Sequence, residues 1–329
     1  MKDIFKINLQ LFAGAPNTNV TTDSGLSVEN KTYYDMTLID EAQANLVHDQ
    51  FAQKRPIPKN GGKKIEFRKF ASLPKATTPL TEGVTPDGKK LSVTSIEAEV
   101  AQYGDYIVQS DVLELTSIDN TIVEATKILG RQAGLTLDTI TRNIMQSGTN
   151  VYYCPKGDGT AVTSRAALDA TCKLTVDVVN RVVALLKKNN APKINGDYVA
   201  IIHPLVAYDL ISDPAWIEAH KYATPENIYN GELGKIGGVR FVESSEAKVY
   251  EGGVFGCLFL ADGAYGVTEI TGGGLETIIK QKGSAGTADP LDQRSSIGWK
   301  AIKTAEILVE PYMVRVECKS ALSEEAEAN

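Results

Sequence analysis

Gly83-Val84-Thr85-Pro86-Asp87-Gly88-Lys89-Lys90 has the GxxxxGK spacing with which some proteins wrap backbone amides around a phosphate chain. That chemistry also needs a serine or threonine after the lysine to hold magnesium, and a helix whose amide end faces the phosphates. Lys90 stands in that place, Pro86 removes an amide, and a strand-like alternation follows. The octapeptide is therefore read as the tip of a hairpin. Histidine chemistry has three candidates, His48, His203 and His220. A nucleophilic triad needs one of them beside serine or cysteine, with an acid to orient it. No GxSxG elbow occurs, since Gly283-Ser284-Ala285-Gly286 has the wrong spacing. His203, followed by Pro204, marks a strand-to-helix junction, while His48 and His220 read as helix-surface residues. Cys154, Cys172, Cys257 and Cys318 include no CxxC pair and no histidine at ligand spacing, so they read as buried thiols. No catalytic residue, cofactor site or metal site is assigned.

Charge narrows the classes further. The 329 residues carry 34 bases and 41 acids, a formal net charge of −7, which argues against a general nucleic-acid binder. With 43% apolar and 23% charged residues, the bulk of the chain has the composition of a folded globular protein. Apolar runs such as Val199-Ala200-Ile201-Ile202 are far shorter than the roughly 18 residues of a membrane span. The charge is uneven. Residues 54–90 hold ten bases (Lys54, Arg55, Lys59, Lys63, Lys64, Arg68, Lys69, Lys75, Lys89, Lys90) against Glu66, Glu82 and Asp87, a segment of +7 on a remainder of −14.

The elements that position these residues follow from periodicity. In the first fifteen residues Asn8 and Gln10 interrupt the apolar run a secretory signal requires, leaving Ile7, Leu9 and Leu11 in alternation; an amphipathic docking arm is expected. Residues 16–30 read as a linker and 33–51 as helical, ending before Pro56 and Pro58. Ile65 and Phe67 share one face of a strand over 64–70, and 91–100 is a second strand. The stretch between them is rich in proline and glycine, which describes an extended hairpin with few large apolar residues near its tip. An isolated hairpin is marginal in water, so this one needs an external surface. Apolar residues in steps of three or four from Ile118 to Ile144 predict a long helix over 116–145. Thr116 and Asp119 would form its capping box and Gly148 its stop. Further on, 175–188 and 204–211 read as helices. Strands are expected at 198–202, 239–242, 258–260, 275–280, 306–309 and 312–317, with a frayed acidic tail from Ser323.

Three functional classes remain open on these residues. One is a soluble α/β enzyme using His203 and a carboxylate. Another is a nucleic-acid-binding module using 54–90, although Phe67 and Phe70 alone are a sparse stacking platform. The third is a self-associating protein whose cationic limb docks on the acidic body of a second copy, a reading that also explains the missing core.

The sequence carries a resemblance that favours the third class. Asn8-Leu9-Gln10-Leu11-Phe12-Ala13-Gly14 is similar to an opening common in structural proteins of phages infecting Gram-positive hosts. The stretch from Gly61 through Lys69 and Thr81-Glu82-Gly83-Val84-Thr85-Pro86 resemble the tailed-phage major capsid proteins grouped around the phage N-four coat protein. Tyr103-Gly104, His203-Pro204, Asp289-Pro290-Leu291, Gln293-Arg294 and Gly298-Trp299-Lys300 extend the resemblance over about residues 55 to 320.

The resemblance implies an α+β chain with the Hong Kong 97-type capsid fold, no enzymatic activity and no cofactor. It implies an N-terminal arm (1–58), an extended β-hairpin loop (59–102), a peripheral domain with a long spine helix (103–170) and an axial domain (171–290). Return strands of the peripheral domain (291–322) and an acidic tail (323–329) would follow. Subunits would build hexamers and pentamers of an icosahedral shell around double-stranded DNA, which they would contact only loosely. The inter-subunit candidates are Lys63, Lys64, Phe67, Arg68, Lys69, Phe70, Lys89 and Lys90. Expected partners are further copies, a scaffolding protein, a portal and a decoration protein, with no membrane. The expected location is the virion, and the host cytoplasm during assembly.

Overall fold

In a computed structural model of the chain the described residues are 46–70, 73–85, 87–116, 121–220, 233–284 and 289–329. Their elements, in chain order, are β1 (Gln53–Lys54), β2 (Lys64–Phe70), β3 (Val93–Glu99), β4 (Ala101–Ser110), α1 (Asp111–Thr116), α2 (Thr121–Gln146), β5 (Val151–Tyr153) and α3 (Val176–Lys188). There follow β6 (Tyr198–Ile202), α4 (Pro204–Ile211), α5 (Pro214–His220), β7 (Lys235–Ile236), β8 (Val239–Glu243), β9 (Val249–Tyr250) and β10 (Val254–Leu260). The last four are β11 (Tyr265–Glu269), β12 (Glu276–Lys280), β13 (Arg294–Ile307) and β14 (Met313–Cys318).

Long β13 organises the first sheet. Antiparallel β4 runs along one edge of it, from Arg294↔Ser110 to Lys303↔Ala101. Its other edge takes β12 opposite 296–300 and then β11 opposite 303–307, with β1 parallel to β11. Alternate residues of a strand share a face, so Ile297, Trp299 and Ala301 form one apolar stripe. Ala125, Leu129, Ala133 and Leu137, spaced four apart on α2, pack against it.

A second sheet has the order β5-β14-β10-β6-β8-β7, with β9 also on β10. All five residues of β6 are buried, because both faces are covered. Tyr198, Ala200 and Ile202 meet Val179, Val182, Val183 and Leu186 of α3 and Val206 and Leu210 of α4. From the opposite face Ile201, with Leu258 and Leu260, packs against Met145, Tyr265 and Ala305, which joins the two sheets in one core. Local signals start these helices as the sequence predicts. The Thr175 side chain accepts from the Val178 amide, and Nδ1 of His203 accepts from the Leu205 amide at 3.2 Å ahead of Pro204.

Several expectations are corrected. The long helix does not start at Thr116: its hydroxyl donates to the Val112 carbonyl and closes the last turn of α1, while the Asp119 half of the expected box lies outside the described residues. The arm expected over 1–58 lies outside the described residues up to 45, and from Leu46 onward it is built into the core. His48 is fully buried and not on a helix surface, because Asp138 of α2 accepts from both the Val47 and His48 amides and faces the His48 ring. Beside it, Asp49 accepts from Thr141 and pairs with the buried Lys303 ammonium, which also donates to the Leu137 carbonyl. Apart from these corrections, strand pairing links segments expected in different units, and the division into units stays a proposal. From 171–290, β11 and β12 join the first sheet. From 103–170 and 291–322, β5 and β14 join the second, where each extends a hydrogen-bond ladder. Nor is the acidic tail frayed at its end: Asn329 exchanges hydrogen bonds with the Val249 backbone, and Ala326 packs against the core.

Candidate functional site

β2 and β3 pair from Lys64↔Glu99 to Phe70↔Val93, and the Val100 amide closes the base by donating to the Lys63 carbonyl. The strand period of two sorts their side chains. Ile65 and Phe67 stand opposite Ala98 and Ile96 on a face turned to the body, where Phe67 and Ala98 are buried. On the other face Lys64 pairs with Glu97 at 3.6 Å and Arg68 with Glu66 at 3.1 Å, all exposed. Hydrogen bonds from Arg68 and then Ser95 hold the Glu66 carboxyl below its usual range. Exposed pairs of this kind add little stability.

Among the interface candidates with described side chains, Phe67 is the one buried within its own chain. Its ring sits over β11 at Gly266, with the Arg55 guanidinium 5.8 Å from its centroid, so it packs on its own chain. Lys63, Lys64, Arg68, Lys89 and Lys90 are exposed along the hairpin, and Lys69 and Phe70 hold the last two positions of β2 opposite Thr94 and Val93.

Beyond Arg68 every described residue from 73 to 95 is exposed. Leu73 (53%), Leu80 (77%), Val84 (62%), Leu91 (70%) and Val93 (48%) present large apolar side chains to solvent there. Leu91 and Val93 fall in the strand expected over 91–100, but Leu73, Leu80 and Val84 were passed over, because they have no helix or strand period inside a segment of turn residues. Burying such a side chain is worth about 1.5–3 kcal/mol, so a surface that covered several of them would bind strongly. A second set lies at one end of the first sheet. Tyr106 and Val108 of β4, Val112, Leu113 and Leu115 of α1, and Leu291 are all exposed, and the Asp111 amide bonded to the Gln293 carbonyl draws α1 toward the 291–294 turn. Apolar side chains gathered in this way mark interaction surfaces.

The chemical candidates resolve as framework. At the GxxxxGK stretch the Val84 amide donates to the Thr81 carbonyl in a turn, Pro86 lies outside the described residues, and after Lys90 the chain extends into β3 instead of a helix. His203 uses Nδ1 as a helix cap and stands 5.0 Å from the Phe255 ring, and burial pulls its pKa below the usual value. The His220 side chain lies outside the described set. All four cysteines are buried free thiols, and Cys257 and Cys318 lie 3.9 Å apart, sulfur to sulfur. The neighbouring thiol and then burial push Cys257 well above the ordinary range. Among the described residues no group of three His, Cys, Asp or Glu side chains is placed to hold a metal ion, and no helix is long and apolar enough to cross a membrane.

The fold recurs in phage shells. The chain is similar to the capsid protein of cyanophage Pam1 (TM-score 0.67, 12% identity, covering 85% of this chain and 92% of that one). It is also similar to that of cyanophage P-SCSP1u (TM-score 0.64, 14% identity, 82% and 87%) and of Ralstonia phage GP4 (TM-score 0.61, 15% identity, 82% and 87%). No curated protein sequence matches it. Residues 17–258 match the profile of the phage capsid protein family. An α+β chain with no chemical centre among its described residues, an uncovered apolar hairpin and that match over most of its length belongs to the family of phage capsid proteins.

Proposed function

We propose that the chain is the major capsid protein of a tailed phage with the Hong Kong 97-type fold, allied to the phage N-four coat protein group. In this reading it builds hexamers and pentamers of an icosahedral shell around double-stranded DNA. The observation that carries the proposal is the hairpin, on which five large apolar side chains are exposed among the described residues. Specific interfaces bury about 1,200–2,000 Å², and a finger of this length laid on a neighbouring copy supplies such an area. Its docking set is Lys63, Lys64, Phe67 at the root, Arg68, Lys69, Phe70, Lys89 and Lys90 together with the apolar tip, and the lysines steer the encounter with an acidic neighbour. The sheet built on β13 with α2, the proposed spine helix, forms the peripheral body, and the sheet built on β10 with α3 and α4 forms the axial one. A scaffolding protein, a portal and a decoration protein complete the assembly, which takes place in the host cytoplasm.

Size-exclusion chromatography and electron microscopy of the full chain, alone and with the proteins encoded beside its gene, test the reading. Closed shells or capsomers are expected. A monomer that stays monomeric in both cases, or one that binds DNA tightly with steep salt dependence, overturns it.

A further inference from the structure

At the root of the hairpin Phe67 is the large side chain that seats it on the body, beside buried Ala98. Phe67 is 5% exposed while its neighbours Glu66 and Arg68 are exposed. The floor beneath its ring is Gly266, inside β11, where a glycine weakens a strand unless something must come close. The backbone conformation of Gly266 is one that any residue adopts, so glycine is not required there for its turn-making freedom. The reason is steric: a Cβ at 266 would lie 3.3 Å from Cε1 and Cζ of Phe67 and 3.2 Å from Cδ1 of Leu308. The ring thus occupies the space a side chain at 266 would fill. Arg55, whose amide is bonded to the Val267 carbonyl, places its guanidinium over the ring from the β1 side. Around this contact lies a cavity of about 280 Å³, lined among others by Gln53, Ile96, Gly263 and Val309. The ring is seated, and there is slack beside it.

We infer that Phe67, Gly266 and Arg55 form a joint that sets the angle at which the hairpin leaves its subunit, and through it the curvature of the assembled shell. The inference rests on the capsid reading above. At about 3.3 Å per residue the chain from Phe67 to Leu80 can reach roughly 40 Å at most. A tilt of about ten degrees at its root moves the tip by several ångströms, enough to shift its contacts by a residue. The role is one of positioning: the ring packs on its own chain and thereby decides where the tip arrives.

Gly266→Ala and Gly266→Val, each with and without Phe67→Leu, test the joint in the full chain expressed with the proteins encoded beside its gene. Gly266→Ala is expected to shift or broaden the particle diameter seen by electron microscopy. Gly266→Val is expected to cut the yield of closed shells about tenfold or more, the scale of one overpacked contact per subunit. Phe67→Leu, by vacating part of the seat, is expected to restore most of that loss. A structural role alone would lower the thermal midpoint and the yield but leave the diameter of surviving shells unchanged. Wild-type diameter from both glycine variants, or a defect that Phe67→Leu does not relieve, overturns the joint. Should Gly266→Val fail to fold, Gly266→Ala gives the same reading. Wild-type chain that forms no shell at all defeats the capsid reading itself, a separate outcome from shells that ignore position 266.

Discussion

Nδ1 of His48 lies 2.6 Å from Oδ2 of Asp138, and both side chains are fully shielded from water. The other carboxylate oxygen accepts the Val47 and His48 amides at 2.9 and 2.8 Å, so three donors from one turn converge on one helix residue. Asp138→Ala would strand all three in the interior and is expected to destabilise the chain by about 3–5 kcal/mol. Asp138→Asn keeps an acceptor for the two amides and should lose about half as much or less. Denaturant unfolding of unassembled protein measures both, and equal losses would show that the amide bonds contribute nothing.

His203 makes the stability depend on pH. Burial holds its pKa below the ordinary 6.5, so the unfolded chain takes up this proton at a higher pH than the folded chain does. The stability contributed by the neutral ring is complete above 6.5, declines as pH falls through that value, and levels off below the folded-state pKa. His203→Asn retains an acceptor for the Leu205 amide without the titration. Between about pH 7 and pH 5 the wild type should lose stability relative to the variant; parallel curves would exclude a contribution from His203.

At the centre of the first sheet, β4 and β13 approach at glycines. A Cβ at Gly298 would lie 2.7 Å from the Tyr106 Cβ and 2.8 Å from the Asp105 carbonyl oxygen, and one at Gly104 would lie 2.5 Å from the Trp299 carbonyl oxygen. Gly298→Ala should therefore cost about 1–3 kcal/mol by overpacking. Gly88→Ala, with nothing within 4 Å, should change stability by less than about 0.5 kcal/mol. Thermal melts of the two variants side by side decide the matter.

Leu80 and Leu91 are 77% and 70% exposed on the hairpin. Leu80→Glu and Leu91→Glu should leave unfolding of the isolated chain within about 0.5 kcal/mol of wild type. The same changes place a charge where the proposed interface needs an apolar contact, and are expected to lower the assembled fraction about tenfold or more. Normal assembly of both variants would remove the tip from the interface.

What the sequence discloses is local. Thr175 ahead of an amphipathic run, the uninterrupted Tyr198–Ile202 strand and Pro204 after His203 each state their own structure, and the elements start where those signals stand. The β2–β3 pairing was likewise legible from alternation around a turn-rich stretch. Elements whose partners lie far away in sequence were not. In β13 the alternation Ile297, Trp299, Ala301 continues through Lys303, whose burial Asp49 and the Leu137 carbonyl explain. β4 is a mostly exposed edge strand, with little apolar pattern to read. His48 is buried because Asp138, ninety residues on, waits for it. For the site, the cationic stretch was visible at once, but Leu73, Leu80 and Val84 were not, since they follow no period and declare themselves only by their exposure.

The order of synthesis gives the placement of β13 and β14 a further meaning. β13 is the strand to which β4, β11 and β12 all attach, and β14 bridges β5 and β10, yet both are made last. A nascent chain therefore carries its hairpin before β13, on which the first sheet is built, and before β14, which links β5 to β10. Neither sheet can close until the strands that join its distant parts have been made, so the hairpin precedes the body it stands on.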